Sequence, residues 1–421
     1  MPISHPSYRS AARISGCPSA WAALRANEPA PLGEGVSGIV LAGSHHWGEG
    51  EFARVLRGPL IPVAQTPLIH YPLEWLRAGG VSRTIVCANS ETANVRAELG
   101  AGTRLGLAVD YFEDHTPRGP AGCARDAACR SAAHTFVVVE GAMIPSLDLR
   151  LLLDIHRRSG AAATIVAETD RRRRTVVRDR PGLPGGIYVF ERRVLEGIAE
   201  RGYQDIKQGL LERLYVAGER VVVHTVQGVS PRVLDAATYA SVNNWLITRA
   251  MQRPMPELDD YQPCRDGLRH HTARVHPDAR LVGPVLIGAG ASIEADAVIV
   301  GPASIGAHSV VSAGALVSRS VVWDRCRIGE RAIVDSSLLA DRSIVRPGHR
   351  LFAAVEIVRD ATHARRPALA AASAVPTTRS SIPSDTSDLM QAEGGVRLPA
   401  GVASPGTILA PELVDLRRAI R

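Results

Sequence analysis

Two folds in tandem are predicted, a layered α/β domain over residues 37–250 and a left-handed parallel β-helix over residues 274–352, and three observations predict them. From Gly38 to about Arg249, short apolar runs alternate with amphipathic stretches of helical length, the pattern of a mostly parallel sheet covered by helices. From Val275 onward, aliphatic residues return at every sixth position, which no layered α/β arrangement produces. Between the two, Pro254 to Thr272 is charged and aperiodic, so residues 251–273 read as a connector.

Within the α/β domain, Ile39, Val40 and Leu41 form an apolar run stopped by Ala42 and Gly43, as in a buried strand that ends at the edge of a parallel sheet. Further strands are expected at Thr84 to Ala88, Ala108 to Phe112, Thr135 to Val139, Ala163 to Ala167, Gly186 to Phe190 and Arg220 to Thr225. Helices are expected at Leu68 to Ala78, Glu91 to Leu99, Gly122 to Ala132, Leu149 to Arg158, Arg192 to Glu200 and Asp205 to Ala217. Ligands of such sheets bind at the carboxyl ends of the strands. The loop after Leu41 therefore has the position of a phosphate-handling loop, although Ser44, His45, His46 and Trp47 stand where glycines would be expected.

In the repeat region Val275, Leu281, Ile287, Ile293, Ile299, Ile305, Val311 and Val317 keep the period of six without a miss, each followed four residues later by a small or short side chain such as Ala279, Ala291 or Ala303. Each unit makes one flat side of a coil, with the aliphatic pointing inward and the small residue fitting the turn. After Val317 the spacing slips by one, resumes through Val322, Ile328 and Val334, and slips again before Leu339 and Val345. Roughly four coils follow from this count.

The flanks differ in kind. Residues 1–36 have a linker-like composition, and residues 353–421 are rich in Ala, Ser, Thr and Pro, too poor in large apolar side chains to bury a core. Pro411 to Arg421 could add a short amphipathic helix. The chain is 421 residues long with 45% hydrophobic residues and a net charge of +7. That charge is spread along the sequence rather than gathered with aromatics, which argues against a nucleic-acid partner. It is nearly all arginine, and Lys207 is the only lysine, so any chemistry requiring a lysine has one candidate. The six cysteines, Cys17, Cys87, Cys123, Cys129, Cys264 and Cys326, include no C-x-x-C pair and read as reduced thiols. With neither a signal-peptide core nor a membrane-length apolar run, a cytoplasmic location is expected.

An α/β domain opening V-L-A-G and followed by a hexapeptide β-helix resembles the sugar-phosphate nucleotidyltransferases, the mannose-1-phosphate guanylyltransferases in particular. The family opening L-A-G-G-x-G-T-R-L-x-P-L-T-x-x-x-P-K-P-L-L-P-V aligns without a gap from Leu41 to Val63. Pro67 to Val86, PLIHYPLEWLRAGGVSRTIV, is similar to the family's next helix and strand. Gly119, Pro120, Ala121 and Gly122 fall on its G-T-A-G turn, Gly186 to Phe190 (GIYVF) on its A-G-I-Y-V-F strand, and His276 to Ile293 on the start of its β-helix. The resemblance covers about residues 37–350 and implies a Rossmann-like nucleotidyltransferase domain. It also implies a reaction in which a sugar 1-phosphate attacks the α-phosphorus of a nucleoside triphosphate, with Mg²⁺ bridging the phosphates. Leu41, Ala42, Gly43, Arg57, Gly119, Ala121, Gly122, Gly141 and Gly186 are the implied nucleotide or sugar contacts, and Asp235 in VLDAATY is the retained metal aspartate.

The groups that do the chemistry depart from the family. Ser44 and His46 replace loop glycines, Gly48 replaces the arginine, Gly58 the lysine and Ala142 the first metal aspartate. Glu140, two residues earlier, is not expected to substitute for it. The E-K-P segment with the sugar-phosphate lysine is replaced by the basic run Arg171 to Arg174, read as a solvated loop. Phosphoryl transfer is catalysed mainly by positioning and charge neutralisation, and losing one charge-stabilising group typically costs about 10²- to 10³-fold in rate.

Three readings are therefore expected to compete. The first is a degenerate nucleotidyltransferase acting as a regulatory or scaffold partner in sugar-nucleotide and cell-surface polysaccharide metabolism, as a homo-oligomer or paired with an active relative, and holding a nucleotide or nucleotide sugar if it binds one at all. The second is a working NDP-sugar synthase. The third is a hexapeptide acyltransferase using His308, for which a turn position is the better account because the repeat phase is unbroken around it. In the altered loop, His45 and His46 read as surface residues rather than metal ligands, since no Cys, Asp or Glu lies at ligand spacing, and Trp47 as a plug for the vacated phosphate pocket in preference to a stacking surface for a nucleobase.

Overall fold

The computed structural model describes residues 32–43, 58–113, 118–169, 183–228, 230–253, 255 and 258–356. Ser44, His45, His46, Trp47, Gly48, Arg57, the Arg171 to Arg174 run and, of the two terminal flanks, residues 1–31 and 357–421 lie outside them.

The first domain is a seven-stranded sheet. Its strands are β1 (Val36–Leu41), β2 (Arg83–Cys87), β3 (Ala108–Phe112), β4 (Thr135–Glu140), β5 (Ala163–Thr169), β6 (Leu183–Glu191) and β7 (Val221–Gln227), in the spatial order β3-β2-β1-β4-β6-β5-β7. Neighbours run parallel except β6, which is antiparallel to both β4 and β5. Every residue of β1 is buried, because the strand is central in the sheet and helices cover both faces. On one face Ile39, Leu41, Phe136 and Val138 pack against α3 (Gly119–Ala128), α5 (Arg192–Glu196) and the continuous π-turn Ile206–Leu210 and α6 (Leu211–Val216). On the other, Val40, Val137 and Val139 pack against α1 (His70–Ala78), α2 (Thr92–Leu99) and α4 (Leu149–Ser159).

One helix absent from the expected set closes the domain: α7, Ala236–Gln252. Asp235 starts it with a reciprocal cap, its carboxylate accepting from the Thr238 N–H while the Thr238 hydroxyl oxygen accepts from the Asp235 N–H. Its inner face, Tyr239, Val242, Leu246 and Ile247, is buried against Ile61 to Leu68 and the flank of the β-helix. Polar bonds lock that junction. The Gln65 amide donates to the carbonyls of Leu286 (3.2 Å) and Ile305 (2.9 Å) while its oxygen accepts from the Tyr261 hydroxyl. Tyr239 donates to the Pro62 carbonyl (2.6 Å) and accepts from the Trp323 indole N–H (2.7 Å).

The second domain coils three stacks of short parallel strands around one core. Two of its faces carry five rungs each, so four turns separate first from last. The rungs Val275, Ile293 and Val311 are 18 residues apart and the rungs Val311, Ile328 and Val345 are 17 apart, which is how the slips in the hexad are accommodated. The aliphatics are buried, and Ala279, Ala291, Ala297, Ala303 and Ala315 sit beside them just inside the corners. His308 is a corner residue with a left-handed backbone (φ 56°), its ring lying over Gly290.

Candidate functional site

The carboxyl edge of the sheet is built by the ends of β1, β4 and β5 and the start of β6. At β1 the expected contacts are backbone neighbours of one another. The Gly141 N–H donates to the Leu41 carbonyl (2.8 Å) and the Ala42 N–H to the Cys87 carbonyl (2.8 Å). A Cβ on Gly141 would come 2.8 Å from the Ala42 Cα, so only glycine lets β1 and the turn after β4 approach this closely. Gly43 is pressed against the Asn89 side chain.

β4 ends on Glu140, and the chain turns through Gly141 and Ala142 before Met143 pairs with Arg232. The carboxylate at this strand end is therefore Glu140. Ala142 is 2% exposed and engaged through its backbone, its carbonyl accepting from the Val233 N–H. Arg232 lies 2.5 Å from Glu140 Oε2, and the Nζ of Lys207, the chain's only lysine, lies 3.6 Å from Oε1. Arg232 also donates to the Gly185 carbonyl and stands 3.6 Å from Glu168, whose other oxygen accepts from the Ser230 N–H. Gly186 has a left-handed backbone (φ 69°), and a Cβ there would fall 2.6 Å from Glu140 and 3.0 Å from Arg232. The glycine pair of β6 thus leaves the space in which this ion-pair chain lies.

Tyr188 stands behind the cluster. Its hydroxyl is buried without a hydrogen-bond partner among the described residues. Burial first, then the neighbouring Glu140 charge, pushes its pKa upward, so the phenol is neutral at physiological pH. Beside it, the α3 turn is already engaged. The Ala121 N–H donates to the Gln204 carbonyl (3.0 Å), the Gly122 carbonyl accepts from Arg118 (3.2 Å), and Gly119, at φ 79°, meets the same Gln204 carbonyl. This turn braces the segment leading into Lys207.

The position of the family lysine holds Gly58, buried at the start of a 3₁₀ turn and offering no side chain. Asp235 is an exposed N-cap, its carboxyl pKa held below the ordinary range by the N–H and hydroxyl of Thr238. The residues present do not fit the Mg²⁺ site implied by the resemblance. Ala142 supplies a methyl group, Asp235 is committed to Thr238, and each Glu140 oxygen faces a cation. Among the described residues no group of three His, Cys, Asp or Glu side chains is gathered to hold a metal.

Sequence reasoning brought Leu41, Ala42, Gly141 and Gly186 to this edge and put Gly119, Ala121 and Gly122 on the adjoining turn. It missed Arg232, Glu168 and Tyr188. The first two lack any local signal, since their roles exist only once β4, β5 and the segment before α7 meet. Tyr188 lay in plain sight within GIYVF. No disulfide joins any two of the five described cysteines, and among the described residues no helix is long and apolar enough to cross a membrane.

Comparison with known proteins gives two family models, a nucleotidyl transferase model matching residues 51–175 and a GMPPB C-terminal domain model matching residues 281–371. The chain is 27% identical over 254 residues to a mannose-1-phosphate guanylyltransferase of Mycobacterium tuberculosis, covering 56% of this chain and 70% of the relative. It is 24% identical over 328 residues to a UTP–glucose-1-phosphate uridylyltransferase of Synechocystis, covering 70% and 80%. A glucose-1-phosphate thymidylyltransferase of Streptomyces griseus is 24% identical over 261 residues, covering 56% and 72%. The names of these relatives involve three different nucleotides, so they define a class of chemistry rather than one substrate. A family model matching part of each domain, together with relatives of one kind of chemistry and an architecture that joins the sheet to a β-helix, supports a place for this chain among the sugar-phosphate nucleotidyltransferases, to which it is similar.

Proposed function

We propose that this chain is a nucleotidyltransferase homologue without appreciable nucleotidyl-transfer activity, acting in the cytoplasm as a regulatory or scaffold partner in sugar-nucleotide and cell-surface polysaccharide metabolism. It would assemble with itself or with an active relative. The observation that carries this reading is the charge-closed Arg232–Glu140–Lys207 chain, which leaves Glu140, two residues before the position the resemblance gives to the first metal aspartate, already engaged by two cations. A carboxylate flanked by a guanidinium and an ammonium is a poor cation ligand, because a divalent ion would have to displace both and remain beside their charge. The absence of a carboxylate at Ala142 and of a lysine at Gly58 acts in the same direction.

One observation favours the active alternative, an NDP-sugar synthase. Lys207 is 42% exposed and stands at the carboxyl edge, within reach of a sugar phosphate entering from solvent. Pyrophosphate release with each of the four nucleoside triphosphates, mannose or glucose 1-phosphate and Mg²⁺ separates the two. Turnover approaching roughly one per second, the low end of ordinary enzymes, overturns the regulatory reading. Calorimetry with GTP and GDP-mannose then separates a sensor, which binds, from a scaffold, which shows no heat. The acyltransferase reading requires acetyl-CoA to be bound or consumed, and the corner position of His308 gives it no support.

A further inference from the structure

A second candidate site lies on the outer face of α7, away from the Glu140 cluster. A cavity of about 660 Å³ opens there, lined by Ser146, Asn244, Trp245, Thr248, Arg249, the helix's last residue Gln252 and Arg253 just beyond it. The helix spacing creates it. Trp245 and Arg249 form one i, i+4 pair on the helix and Asn244, Thr248 and Gln252 the neighbouring row, while Arg253, where the chain leaves the helix with extended backbone, lines the same space. The Arg249 guanidinium stacks over the Trp245 ring at 5.1 Å, while Trp245 keeps 36% of its surface exposed. None of the lining residues is acidic, and no ion pair engages Arg249 among the described residues.

We propose that this cavity binds a small phosphate ester carrying a ring, of the sugar-phosphate or nucleotide-sugar class. Two guanidiniums lining one cavity, Arg249 from the helix and Arg253 from its C-terminal end, suit a phosphate or diphosphate, which arginine grips bidentately. The exposed indole gives a flat surface for a sugar or base to stack on. The amides of Asn244 and Gln252 supply both donors and acceptors for hydroxyl groups. The volume falls within the usual range for small-ligand sites. An occupant would also be felt in the cleft. The Ser146 hydroxyl faces that of Ser230 at 3.5 Å, and the Ser230 N–H holds Glu168, the neighbour of Arg232. The proposal stands whether or not the cleft is catalytic.

The test is calorimetry on the intact chain with mannose 1-phosphate, GDP-mannose and inorganic phosphate, comparing wild type with Arg249→Ala/Arg253→Ala, Trp245→Ala and, as a cleft control, Lys207→Ala. An ester should bind, the double arginine variant should weaken it at least about tenfold, and Trp245→Ala should weaken the esters but not inorganic phosphate. Lys207→Ala should leave the affinity within about twofold. The two esters compared with each other identify which source the site prefers. Absence of binding by either ester up to about 5 mM, equal affinity for inorganic phosphate, or loss in Lys207→Ala with retention in the arginine variant would each overturn the proposal. Circular dichroism of each variant guards against unfolding.

Discussion

Replacing Arg232 by methionine tests whether the cluster at the carboxyl edge is a closed ionic unit. Arg232 lies between Glu140, whose side chain is 16% exposed, and Glu168, at 6%, and also satisfies the Gly185 carbonyl. Methionine keeps most of the stem volume but leaves two largely buried carboxylates side by side, with Lys207 the remaining counter-charge at 3.6 Å. Breaking a buried pair by removing one partner costs about 3–5 kcal/mol. Partial solvent access to Glu140 puts the expectation at the lower end, about 3 kcal/mol. For a domain of this size that corresponds to a fall of roughly 6–12 °C in the melting midpoint. Thermal melts at neutral pH read it directly. Arg232→Met/Glu140→Gln should recover part of the loss, because the second change removes the stranded charge. Equal melting of Arg232→Met and wild type, or a double variant no more stable than the single one, would refute the ionic account.

Three further outcomes follow from the same structure. Asp235→Ala should cost about 1 kcal/mol through loss of the α7 cap. Since the folded-state carboxyl pKa is depressed by Thr238, the cap contributes above the ordinary aspartate range and is lost as pH falls through the lowered value. The gap between wild type and variant, followed by urea titration, should therefore close on strong acidification, and a pH-independent gap would count against the cap. Tyr239→Phe removes the shared partner of the Pro62 carbonyl and the Trp323 N–H, and should cost about 1–3 kcal/mol. It should also raise hydrogen exchange at the junction around residues 61–68, and unchanged exchange there would argue that the Tyr239 hydroxyl does not hold the junction, leaving it to the Gln65 bonds and apolar packing. Gly119→Ala places a Cβ 2.5 Å from the Gln204 carbonyl at a left-handed position, with a strain cost of about 1–3 kcal/mol. The Gln204–Lys207 segment should show the displacement first in its exchange rates, and wild-type stability would mean that the turn relaxes freely.

Both folds are legible in the order of residues alone, because each rests on periodicity. The hexad survived in the core as Leu281, Ile287, Ile293 and Ile299, since an aliphatic at each flat side is what lets coils stack. Alternating strands and helices gave the sheet, with strand ends displaced by one to three residues where hydrogen bonding extends past the last apolar side chain, as at Glu140 and Thr169. The longest helix of the first domain was legible and passed over: Tyr239, Val242, Leu246, Ile247 and Ala250 carry helical spacing behind the Asp235 cap. Sequence also shows that glycine stands at 58 and alanine at 142, where the resemblance would put a lysine and an aspartate.

The ionic cluster around Glu140 emerges from contacts in three dimensions. Glu140, Glu168, Lys207 and Arg232 are up to 92 residues apart in sequence, and none belongs to a local pattern. They meet because parallel strands deliver their carboxyl ends to one edge, and because Gly185 and Gly186 leave room for the charged side chains there. Charge neutralisation depends on distance in space, which periodicity does not encode. The lone lysine could be identified from composition, but its carboxylate partner became visible only once β4 and the π-turn were side by side.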